Sequence, residues 1–256
     1  MGHVAIVGHL KPVPENAETI AGRLARCFEG LAEINPLFSR WVRHGMRYRS
    51  AVPAIVTMPP DEAELRSWIG ENAIVESRDG RKQQVGYAIR ALTPQENTVR
   101  ADFWVSSKPS AGWWFLNRMG ITLLGGGGRS PVGEQDSVQR LIALLRAVLL
   151  TSATTWDCDW AAVAPGDFRW EGEHPVNVPL ARFESGWMVY LDPSLAVRLG
   201  QFNDIAVEKM AGGAVLLTAV SDAVFRPRNP THLAAALRIQ AALAPLNEAQ
   251  DAQTSG

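Results

Sequence analysis

The chain has 256 residues, 46% of them hydrophobic and 20% charged, with a formal net charge of −1. A polymer of this size can bury roughly three-quarters of its extended surface, which is ample for an independent core. The near-zero charge supplies no global positive field of the kind that drives phosphate binding by counterion release, which argues against nucleic acid as a ligand.

The opening segment, MGHVAIVGHL (Met1 to Leu10), is too short and too broken by glycine and histidine to be a secretory h-region, and it lacks a basic n-region. Ile6 stands where a myristoylation signal wants Ser or Thr, so no lipid anchor is expected. Within it, His3 to Leu10 reads as a short edge strand. From Glu15 to Ile34 the residues Ile20, Leu24, Cys27, Phe28, Leu31 and Ile34 fall on one stripe at helical spacing, which predicts an amphipathic helix. Asn35-Pro36 ends it, because the residue before proline is pushed out of the α region. Leu37 to Gly45 then offers Leu37, Phe38 and Trp41 as a second, shorter apolar turn.

Asp61 is placed to cap a short helix carrying Leu65, Trp68 and Ile69. Two strands are expected next, Gln84 to Leu92 and Val99 to Ser106, joined by the hairpin-like TPQENT. In the second, Val99, Ala101, Phe103 and Val105 alternate with Arg100, Asp102, Trp104 and Ser106. The segment GWWFLNRMGITLLGGGGRSPVG is expected to enter the core and leave it through a glycine-rich loop. From Glu134 a helix is predicted by Val138, Leu141, Ile142, Leu145, Val148 and Leu149. Strands are expected at Asp159 to Ala164, Trp187 to Leu191 and Ala214 to Val220, with a closing helix from Pro230 to Leu243.

This order lacks the strand-then-helix beat of a doubly wound sheet, so the expected class is α+β with a mainly antiparallel sheet packed by long amphipathic helices. The 16 prolines and 22 glycines are scattered, and no linker divides the chain. One domain over residues 1–246 is expected, with room for two lobes meeting near 125–133, followed by a disordered tail at 247–256. No run approaches about 18 apolar residues, so no membrane contact is expected; even LIALLRAVLL (Leu141 to Leu150) carries an arginine. Cys27 and Cys158 lack CxxC or Cys/His companions, which reads as buried, reduced thiols in a cytoplasmic protein.

Candidate chemistry fails motif by motif. The run Gly125 to Gly128 is not followed by GK[ST], as a phosphate loop requires. In GRSPVG the glycines are spaced one residue too far apart for a nucleophile elbow around Ser130. Histidines 3, 9, 44, 174 and 232 are isolated, which reads as surface or capping roles rather than zinc ligation. No ExK follows Pro60-Asp61, as a metal-dependent nuclease would need. No catalytic residue, metal or cofactor is therefore expected.

Two features point instead to recognition of another protein. Between Thr151 and Asp192 lie Asp157, Asp159, Asp167, Glu171, Glu173, Glu184 and Asp192 against only Arg169 and Arg182. Acidic loops of this kind suit a basic partner such as a nucleic-acid-binding cleft. There are nine tryptophans. Trp41, Trp104, Trp156 and Trp187 read as core, whereas Trp113 and Trp114 point to opposite faces of an extended segment, which makes one of them a candidate anchor.

Three segments in order, NPLFSRW (Asn35 to Trp41), WDCDWAAV (Trp156 to Val163) and GWMVYL (Gly186 to Leu191), resemble the immunity protein 52 family of bacterial polymorphic toxin systems. The likeness runs from about residue 10 to 245, and Cys158 departs from it where proline is expected. Trp156, Gly186 and Trp187 carry over as landmarks of the family. The resemblance implies a non-catalytic α+β protein whose partner is a cognate toxin, often one with a restriction-endonuclease-like nuclease domain. The alternatives are an adaptor or chaperone of a secretion system and an enzyme with an unrecognised site. Oligomeric state is not legible.

Overall fold

The computed structural model describes residues 3–11, 15–44, 55–56, 59–78, 81–94, 99–107, 117–125, 136–165, 183–199 and 205–254. Among them eleven strands form one sheet: β1 (His3–Leu10), β2 (Trp41–His44), β3 (Ile55–Val56), β4 (Ala73–Arg78), β5 (Arg81–Leu92), β6 (Val99–Ser107), β7 (Arg118–Gly125), β8 (Cys158–Pro165), β9 (Met188–Leu191), β10 (Ala206–Lys209) and β11 (Val215–Thr218). The helices are α1 (Ala17–Ile34), α2 (Glu62–Glu71), α3 (Asp136–Thr155), α4 (Pro193–Ala196) and α5 (Pro230–Thr254). The strand order is β10-β11-β9-β8-β1-β7-β6-β5-β2-β3, with β4 beside the first half of β5, and every pairing is antiparallel. The α+β class with an antiparallel sheet is thus what the chain adopts.

The two sheet faces are covered differently. On the first, Ile6, Phe103, Ile121, Val163 and Tyr190 pack with the apolar stripes of α1, α2 and α3 in one large core. In that core Phe28 of α1 stacks on Trp41 at 4.6 Å and meets Phe103 edge-on at 5.3 Å. On the second face, Trp160, Ala162, Val189, Leu191, Val215 and Leu217 pack under Ile239, Leu243 and Leu246 of α5. This second core covers β8, β9 and β11 and reaches Val7 of β1, leaving β5 to β7 outside it.

Local chemistry fixes the helix ends. Asn16 caps α1 by accepting from the Thr19 N–H, and Asn35 ends it, its side chain turning to accept from Leu37. Asp61 accepts from the Ala63 and Glu64 amides at the start of α2, as its position before an apolar run implies. Asp157, in the left-handed region at φ 50°, follows the end of α3 and turns the chain into β8.

Several expectations are corrected. β1 is a central strand, paired with β7 on one side and β8 on the other. It was expected at an edge; Gly8 is required at this central position because a β-carbon would lie 2.8 Å from the Cys158 thiol. Past the 3-10 turn Pro36–Phe38, Trp41 belongs to strand β2 rather than to a helical turn. β3, β4, β7 and β10 have no counterpart in the sequence reading: β4 and β10 are strands at the margin of the sheet, partly solvated and without clean alternation, β3 is two residues long, and β7 lies between β1 and β6 within the apolar, glycine-rich segment. The last helix continues past Leu243 through residues where a disordered tail was expected from 247. The stretch Val138–Thr155 in α3 has a mean hydropathy of 1.2 and is long and apolar enough to cross a membrane by length and composition, contrary to the sequence reading. In the fold it lays Leu141, Leu145, Val148 and Leu149 into the first core.

Candidate functional site

Two groups of polar residues on this scaffold are candidates, and the shape of the sheet links them. The first is built where β1, α1, the end of α3 and the end of β9 converge. Lys11, one residue past β1, places its Nζ 2.8 Å from Asp157 Oδ1 and 3.1 Å from Asp192 Oδ2. Asp192 is buried and also accepts from Ser194 Oγ and the Leu195 N–H, capping α4. Arg23 of α1 donates to the Trp156 carbonyl at 2.9 Å, at the negative end of α3, and its other arm holds Glu15 at 2.9 Å.

Charge state follows from these contacts. Burial by itself would lower Lys11, but its hydrogen bonds to Asp157 and Asp192 outweigh that and raise it. Burial raises Glu15, with Asp157 adding to the effect and Arg23 opposing it. Burial raises the Tyr190 phenol in the same way, with Asp192 contributing. The corner gathers Glu15, Asp157, Asp159 and Asp192 around Lys11 and Arg23, so negative charge is in excess.

The second group lies on the sheet face over β5, β6 and β7. Arg90 donates through Nε to Asp102 Oδ1 at 2.8 Å and through Nη2 to Oδ2, forming a two-armed pair. In the ladder Arg90 sits opposite Trp104, two pairs along from Asp102 opposite Leu92, so this is a diagonal cross-strand contact. Trp104 lies over Gly120, its direct partner in β7, where a β-carbon would come within 2.5 Å of the indole. Arg90, Asp102 and Trp104, together with Ala88, Ser106 and Thr122, line a cavity of about 360 Å³.

The sequence-derived candidates divide under this geometry. Asp157 is exposed, with its side chain at 54%, and Glu184 is half-buried. Glu184 acts electrostatically on Arg118, whose guanidinium burial lowers and Glu184 restores in part. Asp159 is buried at 8%, on a strand covered on both faces, so little of its side chain reaches solvent. Asp167, Glu171, Glu173, Trp113 and Trp114 lie outside the described residues. Trp41, Trp156 and Trp187 are fully buried as expected, but Trp104 is only partly buried and stands on the face away from α1 to α3. His9, read as a surface histidine, is buried at 1% with its ring 4.5 Å from Trp160.

Lys11, Glu15, Arg23, Arg90 and Asp102 were not among the sequence candidates. Arg90 and Asp102 did carry a signal: each is a charge at the outward position of an expected strand of one hairpin, where diagonal pairing brings opposite signs together. Lys11 carried none, because its partner Asp157 is 146 residues away, and neither did the contact of Arg23 with the Trp156 carbonyl, 133 residues away. Among the described residues no group of three or more His, Cys, Asp or Glu is arranged to hold a metal ion.

The model of a protein family described as immunity protein 52 matches residues 11–249. A comparison with curated protein sequences finds no match. Among solved structures, the Pseudomonas aeruginosa T6SS protein PA0821 is similar at a TM-score of 0.51 and 10% identity, covering 93% of this chain and 73% of that one. At that identity the likeness concerns the fold.

Proposed function

The chain belongs to the immunity protein 52 family, and from that premise we propose that it protects a bacterial cell by binding and neutralising a cognate protein toxin, with a restriction-endonuclease-like nuclease as the target. The observation that carries this reading is the extent of the family match, which spans residues 11–249 and so contains both the acidic corner and the cavity-bearing face. The T6SS protein of similar fold supports a setting in type VI secretion, where the toxin arrives in the cytoplasm and must be met there.

The acidic corner suits such a partner. A nuclease cleft is lined with cations that hold phosphates, and the exposed carboxylate of Asp157, backed by the buried carboxylates of Asp159 and Asp192, attracts that surface from a distance. Lys11 keeps Asp157 in a fixed position, so the attraction acts from a rigid site and less entropy is lost on docking. A standard interface of about 1,600 Å² supplies tight binding when a few anchors are fully desolvated.

The test is co-expression with the product of the adjacent reading frame. That product alone is expected to kill the host, and expression of this chain is expected to rescue it and to co-purify with it. A harmless product, or killing undiminished by this chain, would overturn the reading in favour of an adaptor or another role. Salt serves as a check on mechanism: steering by exposed carboxylates predicts an association rate that falls steeply between 50 and 500 mM NaCl, on the order of tenfold or more.

A further inference from the structure

The face over β5 to β7 carries a cavity, and its chemistry restricts what can enter. At about 360 Å³ it stands at the lower end of the range for ligand pockets, roughly 300–1,000 Å³, and suits a large side chain better than a dinucleotide. Its walls are the Trp104 indole, the methyl groups of Ala88 and Thr122, the Ser106 hydroxyl and the Arg90–Asp102 pair. Arg90 meets both oxygens of Asp102, so the charged wall is already paired. A charged intruder would be stripped of water against a site whose charges are spent, whereas an uncharged one would not.

Trp104 is pre-set for such an occupant. The alternation of β6 puts Phe103 and Val105 into the helix-covered core and Trp104 on the opposite side. Gly120 beneath it leaves room for the indole to lie against the sheet. A large aromatic held by the strand ladder loses little freedom on contact, which is what makes tryptophan effective at the centre of an interface. The cavity also lies near Glu184 of the acidic segment. Ser106 on its wall is the ladder partner of Arg118, and Arg118 interacts with Glu184.

Building on the toxin-binding reading above, we propose that this cavity is a socket for one uncharged aromatic or branched aliphatic side chain projecting from the toxin. Contact with Trp104 supplies affinity, and the neighbouring acidic residues set the approach.

The experiment measures binding of the purified adjacent-frame product to the full chain by calorimetry, for the wild type, Trp104→Ala and Thr122→Trp. Trp104→Ala removes the platform, and Thr122→Trp fills the cavity while keeping it. Both are expected to weaken binding by about 30-fold or more, as truncation of a central anchor does. A cooperative thermal transition close to that of the wild type shows that each variant is folded. If Trp104→Ala fails that check, Thr122→Trp decides alone. Wild-type binding with the folded variants within threefold of it would overturn the socket and leave the toxin-binding reading standing. If the wild type does not bind, that reading fails and the socket falls with it.

Discussion

Gly186 offers the sharpest test of how this sheet is assembled. It precedes β9, and a β-carbon there would lie 2.4 Å from the Val163 carbonyl oxygen of β8 and 3.2 Å from the carbonyl carbon. Both obstacles are backbone, so no side-chain rotation relieves them. The clash lies about 1 Å inside ordinary contact, and the next residue donates its N–H to that same oxygen at 2.7 Å. Gly186→Ala must therefore push β9 off β8 at its first rung and disturb the buried Trp187 indole, which donates to the Val220 carbonyl at 2.7 Å. Overpacking costs about 1–3 kcal/mol and the weakened hydrogen bond about 1 more, giving roughly 2–4 kcal/mol in all. At about 2–4 °C per kcal/mol for a domain near this size, the thermal midpoint should fall by roughly 5–15 °C. Urea unfolding followed by tryptophan fluorescence should show a lower midpoint with an unchanged slope. Gly70→Ala is the control: nothing lies within 4 Å of its β-carbon position in α2, and alanine there should stabilise by about 0.5–1 kcal/mol. Equal stability of Gly186→Ala and the wild type would refute the close-approach argument.

Three further outcomes are expected. Burial raises both thiols, Cys27 to about 12, so iodoacetamide at pH 8 should label neither faster than the chain opens; rapid labelling of the native protein would show that they are accessible. Asn247 brackets the Phe183 backbone, accepting from its N–H at 2.9 Å and donating to its carbonyl at 3.1 Å. Asn247→Ala should cost about 1–2 kcal/mol and speed hydrogen exchange at Phe183, and unchanged exchange there would count against this link between α5 and the sheet. Glu15 holds its proton more tightly when folded than when unfolded, so its contribution to stability is greatest below its ordinary value of 4.5 and declines as pH rises through the raised folded value. Replacement by Gln should flatten that part of the stability–pH curve, and an unaltered curve would argue against burial as the dominant cause.

Much of the local structure was legible because it is written in near-neighbour spacing. The stripe from Ile20 to Leu31 fixed α1, that from Leu141 to Leu149 fixed α3, and Asp61 and Asn35 marked helix ends through their own side chains. The alternation from Val99 to Ser106 named β6 and its inward residues correctly. Of the strands that escaped notice, β4 and β10 are short and solvated at the sheet margin, where burial imposes no period, β3 is two residues long, and β7 is an apolar run beside glycines with no polar alternation.

The candidate surface was legible only in part. Asp157 and Asp159 look alike in the sequence, yet one follows the end of a helix and is exposed while the other is enclosed within β8. Trp104 was read as core because it is large and apolar, and its alternation with Phe103 and Val105 could say only that it faces the other side.

From the sequence alone come the four longer helices, most of the central strands, the α+β class and the resemblance that named the family. The tertiary structure alone decided that β1 lies at the centre of the sheet, that Lys11 joins Asp157 to Asp192, and that the second face is covered by α5 over β8 and β9 but not over β5 to β7. The reason is one of range: periodicity records which side of an element is apolar, whereas strand order and coverage depend on contacts between residues from tens to more than a hundred positions apart.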